Sequence, residues 1–235
     1  KVPIRITFGG YQRKLMGHIL AVGFTPFLII AIDNVMIIAM NAVLQHYGGA
    51  ARGDALVTCA TIVQSYLLLI TMPMGGLTLG SQPVVSFNYG KGDAERIKKA
   101  ILCITGLCVT FCILMTIVTW TVSPVYVQLF TEDPVILSRS VTYIKRFTFM
   151  IIPLAVQYPL VDETTALGKV KLALFCSAFR KFVFLTGLIL LPALLTADAA
   201  FFSEPVADVV SATMTSCLFF HFFPKILKER EKITI

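Results

Sequence analysis

The sequence predicts an all-α integral membrane protein, and its composition is the first reason. The chain has 235 residues, of which 57% are hydrophobic and only 14% are charged, and its mean hydropathy is +0.82. A soluble domain is roughly 45–50% apolar and about 25% charged. Because one water-soluble core cannot bury so much apolar surface, most of the chain is expected to face lipid or other membrane-embedded helices.

Six long apolar segments are the second reason. A helix rises 1.5 Å per residue, so about 17–25 apolar residues cross a hydrocarbon core about 30 Å thick. The strands of a membrane barrel would instead alternate polar and apolar residues over about ten positions. The six predicted transmembrane helices cover about residues 15–44, 55–88, 97–122, 135–167, 171–196 and 205–226.

Turn and charge signals separate these segments in chain order. In the stretch "GSQPVVSFNYGKGDAERIKKA", Gly90 and Gly92 turn the chain after the second helix, and Asp93 begins the third. The stretch lacks the Gly-x-x-x-x-Gly-Lys-Ser/Thr spacing of a phosphate-binding loop. Glu204 and Asp208 lie at the start of the sixth helix, where the helix dipole favours negative charge.

The Lys and Arg residues predict the orientation, because basic residues concentrate in short loops on the cytoplasmic side. If alternate segment ends lie inside, 16 of the 20 basic residues fall there, with Arg180 and Lys181 counted among them. Both termini of this chain are therefore expected in the cytoplasm. The net charge of +7 then reflects membrane topology, and no nucleic-acid partner is expected.

Nothing in the sequence indicates an enzyme. All six cysteines lie inside apolar segments, without a Cys-x-x-Cys motif, and no His lies at metal-ligand spacing. There is no catalytic triad, paired-carboxylate hydrolase site or zinc pattern. The cysteines are expected to be small buried hydrophobic residues, and no cofactor is expected.

Proline and glycine residues lie deep in the predicted helices. They free backbone carbonyls, which membranes tolerate only inside protein or beside water, so they favour a bundle that bends around a cavity. The alternative is kinks and close packing without a transport role. Gly76 and Gly80 also form a GxxxG motif, which lets another helix approach closely. The predicted hinge residues are Pro26, Gly76, Gly80, Gln82 and Pro83.

Asp33 is the most informative deep polar residue. It lies about 18 residues into the first segment, roughly 27 Å along a helix about 45 Å long, and so near the middle of the membrane. A carboxylate there costs at least about 2.5–3.5 kcal/mol, so it is expected to face the bundle interior, to be protonated or to hold a cation. The predicted coupling residues are Asp33, Asn34, Asp162 and Glu163, with Asp33 as the ligand if the ion is Na⁺.

Asp162 and Glu163 are adjacent in the fourth segment, nearer its inner end. Neighbouring residues of a helix point about 100° apart, so the two acids do not form a clamp by themselves. The alternative is that one of them is solvated at the membrane interface.

Amide, aromatic and Met side chains at similar depth complete a predicted substrate cavity. Gln64 and Gln157 are deep in their segments, and Asn41 follows Asn34 by seven residues on one stripe. Met and aromatic side chains supply an adaptable apolar lining, and packing against lipid or the core is the alternative for any one of them. The predicted cavity residues are Met36, Met40, Asn41, Gln64, Tyr66 and Gln157.

Four stretches resemble the multidrug and toxic compound extrusion (MATE) transporters. "GGLTLGSQPVVSFNYGKGDAERIKKA" is similar to a signature of that family: a small-residue run, Gly-x-Gln-Pro, an apolar stretch, Asn-Tyr-Gly and a basic helix start. "TTALGKVKLALFCSAFRK" resembles its segment ending in Gly and Lys before the next helix. "FFSEPVADVVSATMT" resembles its last helix, and "GFTPFLIIAIDN" the opening helix of its second half. The resemblance extends over essentially the whole chain.

The resemblance implies a twelve-helix transporter made of two six-helix lobes, of which this chain is the second. It implies export of amphipathic, often cationic compounds across the cell membrane by alternating access, in exchange for Na⁺ or H⁺. In some members a carboxylate ten residues after a Gly that precedes a Pro joins a cation site. Asp33 stands ten residues after Gly23, with Pro26 between them, and so inherits that role.

The acids of the fourth helix depart from the family pattern. The same members place a second acid earlier in that helix, at about the position of Val156 and Gln157 here. Asp162 and Glu163 lie further along the chain, which puts a complete cation site in this lobe in question.

The expected partners are the lipid bilayer, amphipathic small molecules and an N-terminal lobe that is absent from this chain. A second copy would replace that lobe if the protein were half-size. Two alternatives remain: a lipid-linked precursor flippase of the same superfamily, and a non-transporting membrane bundle. The flippase would have a basic central cavity, whereas the deep residues here are acids and amides.

Overall fold

The computed structural model describes residues 12–231, except for the side chains at 18–19, 21–26, 28–30, 51 and 228–231. The described part consists of helices joined by short turns and contains no strand, which confirms the predicted all-α class. Its elements are α1 (Arg13–Lys91), α2 (Ala94–Gln128), α3 (Pro134–Phe147), α4 (Ile151–Ala166), α5 (Val170–Leu194), a 3-10 helix (Ala197–Phe202) and α6 (Ser203–Glu231).

Internal contacts divide the chain into two compact units, Lys1–Ala39 and Met40–Ile235. In the first unit the described residues from Arg13 onward are helical, with Asp33 exposed. The predicted hinge residue Pro26 lies outside the residues whose side chains are described. The second unit holds all the packed helices discussed below.

A break at Gly49 interrupts α1. Gly49 has φ 64° and ψ −175°, a backbone region that is essentially restricted to glycine. Gly48 and Gly53 pack closely beside it, since a Cβ on Gly48 would lie 2.8 Å from the Gly53 Cα. The side-chain amide of Gln45 donates to Asp54 Oδ1 at 2.8 Å across the same turn. This turn lies between the first two predicted helices, residues 15–44 and 55–88.

Replacing Gly49 with Ala is expected to lower the free energy of unfolding by about 1–3 kcal/mol, because a non-glycine residue is strained in this conformation. A methyl group there would meet no atom within 4 Å, so the cost is purely conformational. Gly106→Ala is the matched control, since Gly106 is exposed in the middle of α2 and is equally uncrowded. That control should gain stability by up to about 1 kcal/mol. Denaturant unfolding of the purified protein checks both values, and equal stabilities would contradict the account of the break.

Among the described residues, four helical stretches are long and apolar enough to cross a membrane: Arg52–Lys91, Ala94–Gln128, Val170–Leu194 and Ala197–Leu227. They correspond to the second, third, fifth and sixth predicted spans. The helices α3 and α4 together form a fifth candidate with a bend of 52°. The first predicted span, residues 15–44, falls where many side chains lie outside the described residues.

The fourth predicted span, residues 135–167, is a broken helix and not the single helix that its apolar run indicates. The chain leaves helical geometry after Phe147 and resumes it at Ile151. Pro153 has no backbone N–H, and in the first turn of α4 that donor has no helical partner in any case. Starting a new helix shortly before Pro153 therefore avoids the loss of a hydrogen bond.

The predicted hinge region of α1 does not interrupt that helix. Non-helical backbone angles in α1 occur at Gly49 alone, so Gly76, Gly80, Gln82 and Pro83 lie in continuous helix. Gly76 and Gly80 are exposed and would meet no atom within 4 Å if they carried a Cβ. Within residues 12–231, no helix uses the GxxxG face for a close approach.

The turn between α1 and α2 matches its prediction. Gly92 adopts a positive φ of 75°, and Asp93 caps α2 by accepting a hydrogen bond from the Arg96 backbone N–H at 3.1 Å. Beside this turn, buried apolar side chains of α1, α2, α4 and α6 form one core cluster. Its members are Val85, Ile97, Ile101, Leu160, Leu167, Phe219, Ile226 and Leu227.

Apolar side chains also cover the outward faces of the helices. Leu102, Leu107 and Leu114 of α2 are all exposed, as are Phe182 and Leu190 of α5. Such faces are unfavourable in water and suit lipid or a partner in the membrane. The composition, the helix lengths and this surface together describe a multi-pass membrane protein.

Candidate functional site

Two carboxyl side chains of α4 meet two hydroxyl side chains of α1. The Thr78 hydroxyl donates to Asp162 Oδ2 at 2.5 Å, and the Ser81 hydroxyl is hydrogen bonded to Glu163 Oε1. We call Asp162 and Glu163 the carboxyl pair. Although the two residues are adjacent in sequence, both reach the Arg52–Lys91 stretch of α1.

Each hydroxyl in this arrangement has two competing acceptors. The Thr78 Oγ1 lies 3.1 Å from the Gly75 carbonyl oxygen, and the Ser81 Oγ lies 2.7 Å from the Thr78 carbonyl oxygen. A hydroxyl has a single proton to donate and two lone pairs that accept. If it donates to the backbone, its bond to the carboxyl requires a proton on the carboxyl. If it donates to an ionised carboxylate, it releases the backbone carbonyl.

Burial favours the protonated form of the pair. The Glu163 side chain is fully buried, and its Oε2 has no hydrogen-bond partner among the described residues. Asp162 is partly buried beside it. An ionised carboxylate in a dry, apolar environment is costly, whereas a protonated one is neutral and also donates a hydrogen bond. The carboxyl pair is therefore chemically suited to bind and release protons.

The predicted cavity residues of the second unit are largely packed inside it. Met40 is buried, and its sulfur accepts a hydrogen bond from the Gln64 Nε2 at 3.2 Å. The Tyr66 hydroxyl lies 3.0 Å from that of Thr119 in α2. The first contact lies within α1 and the second joins α1 to α2, and both Met40 and Tyr66 are buried inside the packed helices.

Gln157 lies between α4 and α6. Its Nε2 donates to the Thr215 hydroxyl at 3.3 Å, while its Oε1 is buried without a hydrogen-bond partner among residues 12–231. Asn41, by contrast, is half-buried. The packed amide of Gln157 thus retains one free acceptor.

The remaining predicted site residues belong to the Lys1–Ala39 unit. Asp33 and Asn34 are exposed there, and Met36 is half-buried. Their coupling and cavity roles stay predictions. The structure therefore brings Asp162 and Glu163 to Thr78 and Ser81, two residues that the sequence analysis did not single out.

A second polar cluster, which the sequence analysis did not predict, lies between α5 and α6. Arg180 of α5 donates from Nη2 to Asp208 Oδ1 at 2.9 Å and from Nε to the same oxygen at 3.3 Å, and its Nη2 also binds Glu204 Oε1. The exposed fractions of the Arg180, Glu204 and Asp208 side chains are 24%, 7% and 1%. We call these three residues the Arg180 cluster.

The Arg180 cluster corrects two expectations. Arg180 does not belong to a basic loop, because it lies ten residues into α5, roughly 15 Å from the helix start. Glu204 and Asp208 are ion-paired across helices and do not serve only the dipole of α6. An Arg inside an apolar run, followed by two acids four residues apart at the start of α6, is the sequence signal that could have indicated such a pairing.

A third polar contact links α3 to the 3-10 helix. The Tyr143 hydroxyl donates to Asp198 Oδ1 at 2.8 Å, and Arg52 lies 3.6 Å from the same oxygen. The Tyr143 ring stacks on Phe201 with centroids 4.0 Å apart. These contacts fix one end of the lobe. Residues 12–231 contain no group of three His, Cys, Asp or Glu side chains suited to a metal ion.

The sequence matches the MatE family over residues 27–197. No curated protein matches it. Among solved structures, the outward-facing conformation of a multidrug resistance MATE family transporter of the MOP superfamily is similar, with a TM-score of 0.84 and 16% identity. The alignment covers 96% of this chain and 51% of that one.

Two further structures show the same fold. The inward-facing conformation of a multidrug resistance MATE family transporter matches with a TM-score of 0.81 and 15% identity, over 93% of this chain and 50% of that one. A MOP superfamily transporter from Pyrococcus furiosus, described as having a binding pocket of reverse polarity, matches with a TM-score of 0.82 and 15% identity, over 92% and 48%. The chain thus spans about half the length of these structures.

Proposed function

Because the chain belongs to the MatE family, we propose that it is one lobe of a secondary active antiporter. The antiporter exports amphipathic, cationic compounds in exchange for H⁺ or Na⁺ by alternating access. The observation that carries this proposal is the buried carboxyl pair, hydrogen bonded to the hydroxyls of Thr78 and Ser81.

The hydrogen-bond geometry favours H⁺ as the coupling ion. Each hydroxyl of Thr78 and Ser81 either donates to its own helix or donates to the carboxyl pair, and the choice depends on whether the carboxyl holds a proton. Hydroxyls that bond back to their own helix bend it slightly. Protonation therefore changes the bend of α1 just before Pro83, where proline has already removed one helical hydrogen bond. This couples proton binding to the predicted hinge residues.

The movement that we propose is rocking of the lobe as a body. The chain is similar to half of an outward-facing structure and to half of an inward-facing one, with TM-scores of 0.84 and 0.81. The same lobe fold therefore suits both states, which supports motion between lobes more than refolding within one. The partner is an N-terminal lobe, or a second copy of this chain in its place.

The substrate class follows from the charge of the deep residues. The acid Asp33 and the amides Asn34, Asn41, Gln64 and Gln157 favour a cation over an anion as the substrate. Both termini are proposed to be cytoplasmic, because the turn at Gly92 is followed at once by basic residues of α2.

Transport by the full protein in liposomes tests the proposal. A pH gradient and a Na⁺ gradient are imposed in separate experiments. We expect at least one of them to drive a fluorescent lipophilic cation out of the liposomes against the concentration gradient of that cation. Asp33→Asn should reduce this efflux strongly, whereas Glu95→Gln, at an exposed acid paired with Lys98, should not. Unchanged efflux and pH dependence in Asp33→Asn would remove Asp33 from the coupling role. Absence of driven efflux in the wild type under both gradients would reject the antiporter.

A further inference from the structure

The Arg180 cluster holds an unbalanced charge inside the lobe. Two carboxyl groups, those of Glu204 and Asp208, face the single guanidinium of Arg180. With all three groups ionised, the cluster carries a net charge of minus one. Because its acids are almost completely buried between membrane helices, this charge is unfavourable unless a further cation or a proton neutralises it.

One carboxyl oxygen of the Arg180 cluster has no hydrogen-bond partner among the described residues. Asp208 Oδ1 accepts both bonds from Arg180, while Asp208 Oδ2 is buried without a hydrogen-bond partner among the described residues. One turn further along α6, the Ser211 hydroxyl is also buried without a hydrogen-bond partner among the described residues. Residues three apart on a helix are neighbours. A proton on Oδ2 would turn a costly unpaired acceptor into a donor beside another polar group.

The groups around Asp208 leave a proton as the best-fitting ligand. Arg180 from α5 and Glu204 from α6 are the charged groups that act on it in the described part of the chain. A metal cation such as Na⁺ prefers a shell of several oxygen ligands. Here the Arg180 guanidinium already binds Asp208 Oδ1 and Glu204 Oε1, and its positive charge repels a second cation.

Burial distinguishes the two acids of α6. Glu204 lies in the first turn of that helix. Asp208 lies one turn deeper and is more buried. The neutral form is therefore favoured at Asp208, whose Oδ2 is buried without a hydrogen-bond partner among the described residues.

We infer that Asp208 is a second proton-binding site of this lobe: the Arg180 cluster holds one proton at neutral pH, on Oδ2 of Asp208. The site lies between α5 and α6, apart from the carboxyl pair between α1 and α4. It follows from the charges of the cluster and does not depend on the proposed transport.

Infrared spectroscopy of the full protein in lipid nanodiscs tests this inference, because a protonated carboxylic acid has its own C=O stretching band. At neutral pH, Asp208→Asn should lose the intensity of one protonated carboxyl. Glu204→Gln should lose the same intensity, although Asp208 is still present, because the remaining acid then balances Arg180. Arg180→Gln should gain the intensity of one protonated carboxyl, since both acids are then without a counter-charge.

The three variants together keep the test decisive. If Asp208→Asn does not fold, Glu204→Gln makes the same prediction with Asp208 intact. Glu95→Gln, at an exposed acid, should leave the band unchanged. An unchanged band in Asp208→Asn or Glu204→Gln would overturn the inference. A band that disappears from the wild type on addition of NaCl but not of KCl would also overturn it, in favour of a Na⁺ site. The measurement needs no transport, so its failure is distinct from failure of the antiporter.

Discussion

Replacing Arg180 with Ala is expected to lower the free energy of unfolding by about 3–5 kcal/mol, because removing one partner of a buried ionic group leaves charge that nothing compensates. Arg180 supplies three hydrogen bonds to two almost completely buried acids, and it joins α5 to α6. Protonation of both acids recovers part of this loss, so the destabilisation should be larger at alkaline than at acidic pH. Denaturant unfolding at both pH values measures the effect.

Two comparisons isolate the ionic contribution to that loss. Lys171→Ala removes a basic residue that is exposed near the start of α5, and a surface change of this kind stays within about 0.5 kcal/mol. A triple variant, Arg180→Met with Glu204→Gln and Asp208→Asn, removes all the charge together and should recover most of the stability. If Arg180→Ala were no more harmful than Lys171→Ala, the three residues would not form a buried cluster.

Neutralising the carboxyl pair is expected to abolish the pH dependence of substrate binding. In the wild type, raising the pH removes protons from Asp162 and Glu163, so a cationic substrate should bind more tightly at alkaline pH. Coupling free energies between linked sites are typically 1–3 kcal/mol, which corresponds to about 5–150-fold in affinity. In the double variant Asp162→Asn and Glu163→Gln this ratio should fall to about one, as titration of the purified protein with a fluorescent cation can show.

Variants of Thr78 and Ser81 separate the contribution of the hydroxyls from that of the two acids. Thr78→Val and Ser81→Ala remove the hydroxyls that hold the carboxyl pair and leave both acids in place. They should retain a pH-dependent affinity but move its midpoint to higher pH, because an ionised carboxylate loses a hydrogen-bond donor. A midpoint that does not move would show that the hydroxyls take no part in proton binding.

The sequence predicts the all-α fold class and the order of the apolar helices, because both follow from composition and local pattern. Long apolar runs indicate the helices, and the Gly92 and Asp93 pair indicates the turn that the structure contains. The bend within residues 135–167 is harder to anticipate, since Pro153 is compatible with either a kink or a helix start. Gly49 is one glycine of three in a short stretch, and only the backbone angles single it out.

Pairing between distant helices is the part that a single sequence does not reveal. Counting basic residues by position assigns Arg180 to a cytoplasmic edge, although its partners come from α6. Thr78 and Ser81 are common residues in membrane helices, and their role appears only when α4 places its acids against them. For Asp162 and Glu163 the sequence singles out the two acids as candidates, and the structure adds what they contact.

The central claim is that the carboxyl pair exchanges H⁺ for a cationic substrate. Its most direct test is to measure whether substrate efflux drives proton uptake. Liposomes containing the full protein are loaded with a lipophilic cation in weakly buffered, Na⁺-free medium, and the internal pH is followed as the cation leaves. Exchange through the carboxyl pair predicts internal acidification in the wild type and none in the double variant Asp162→Asn and Glu163→Gln. Cation efflux from wild-type liposomes without acidification, or acidification that persists in the double variant, would contradict it.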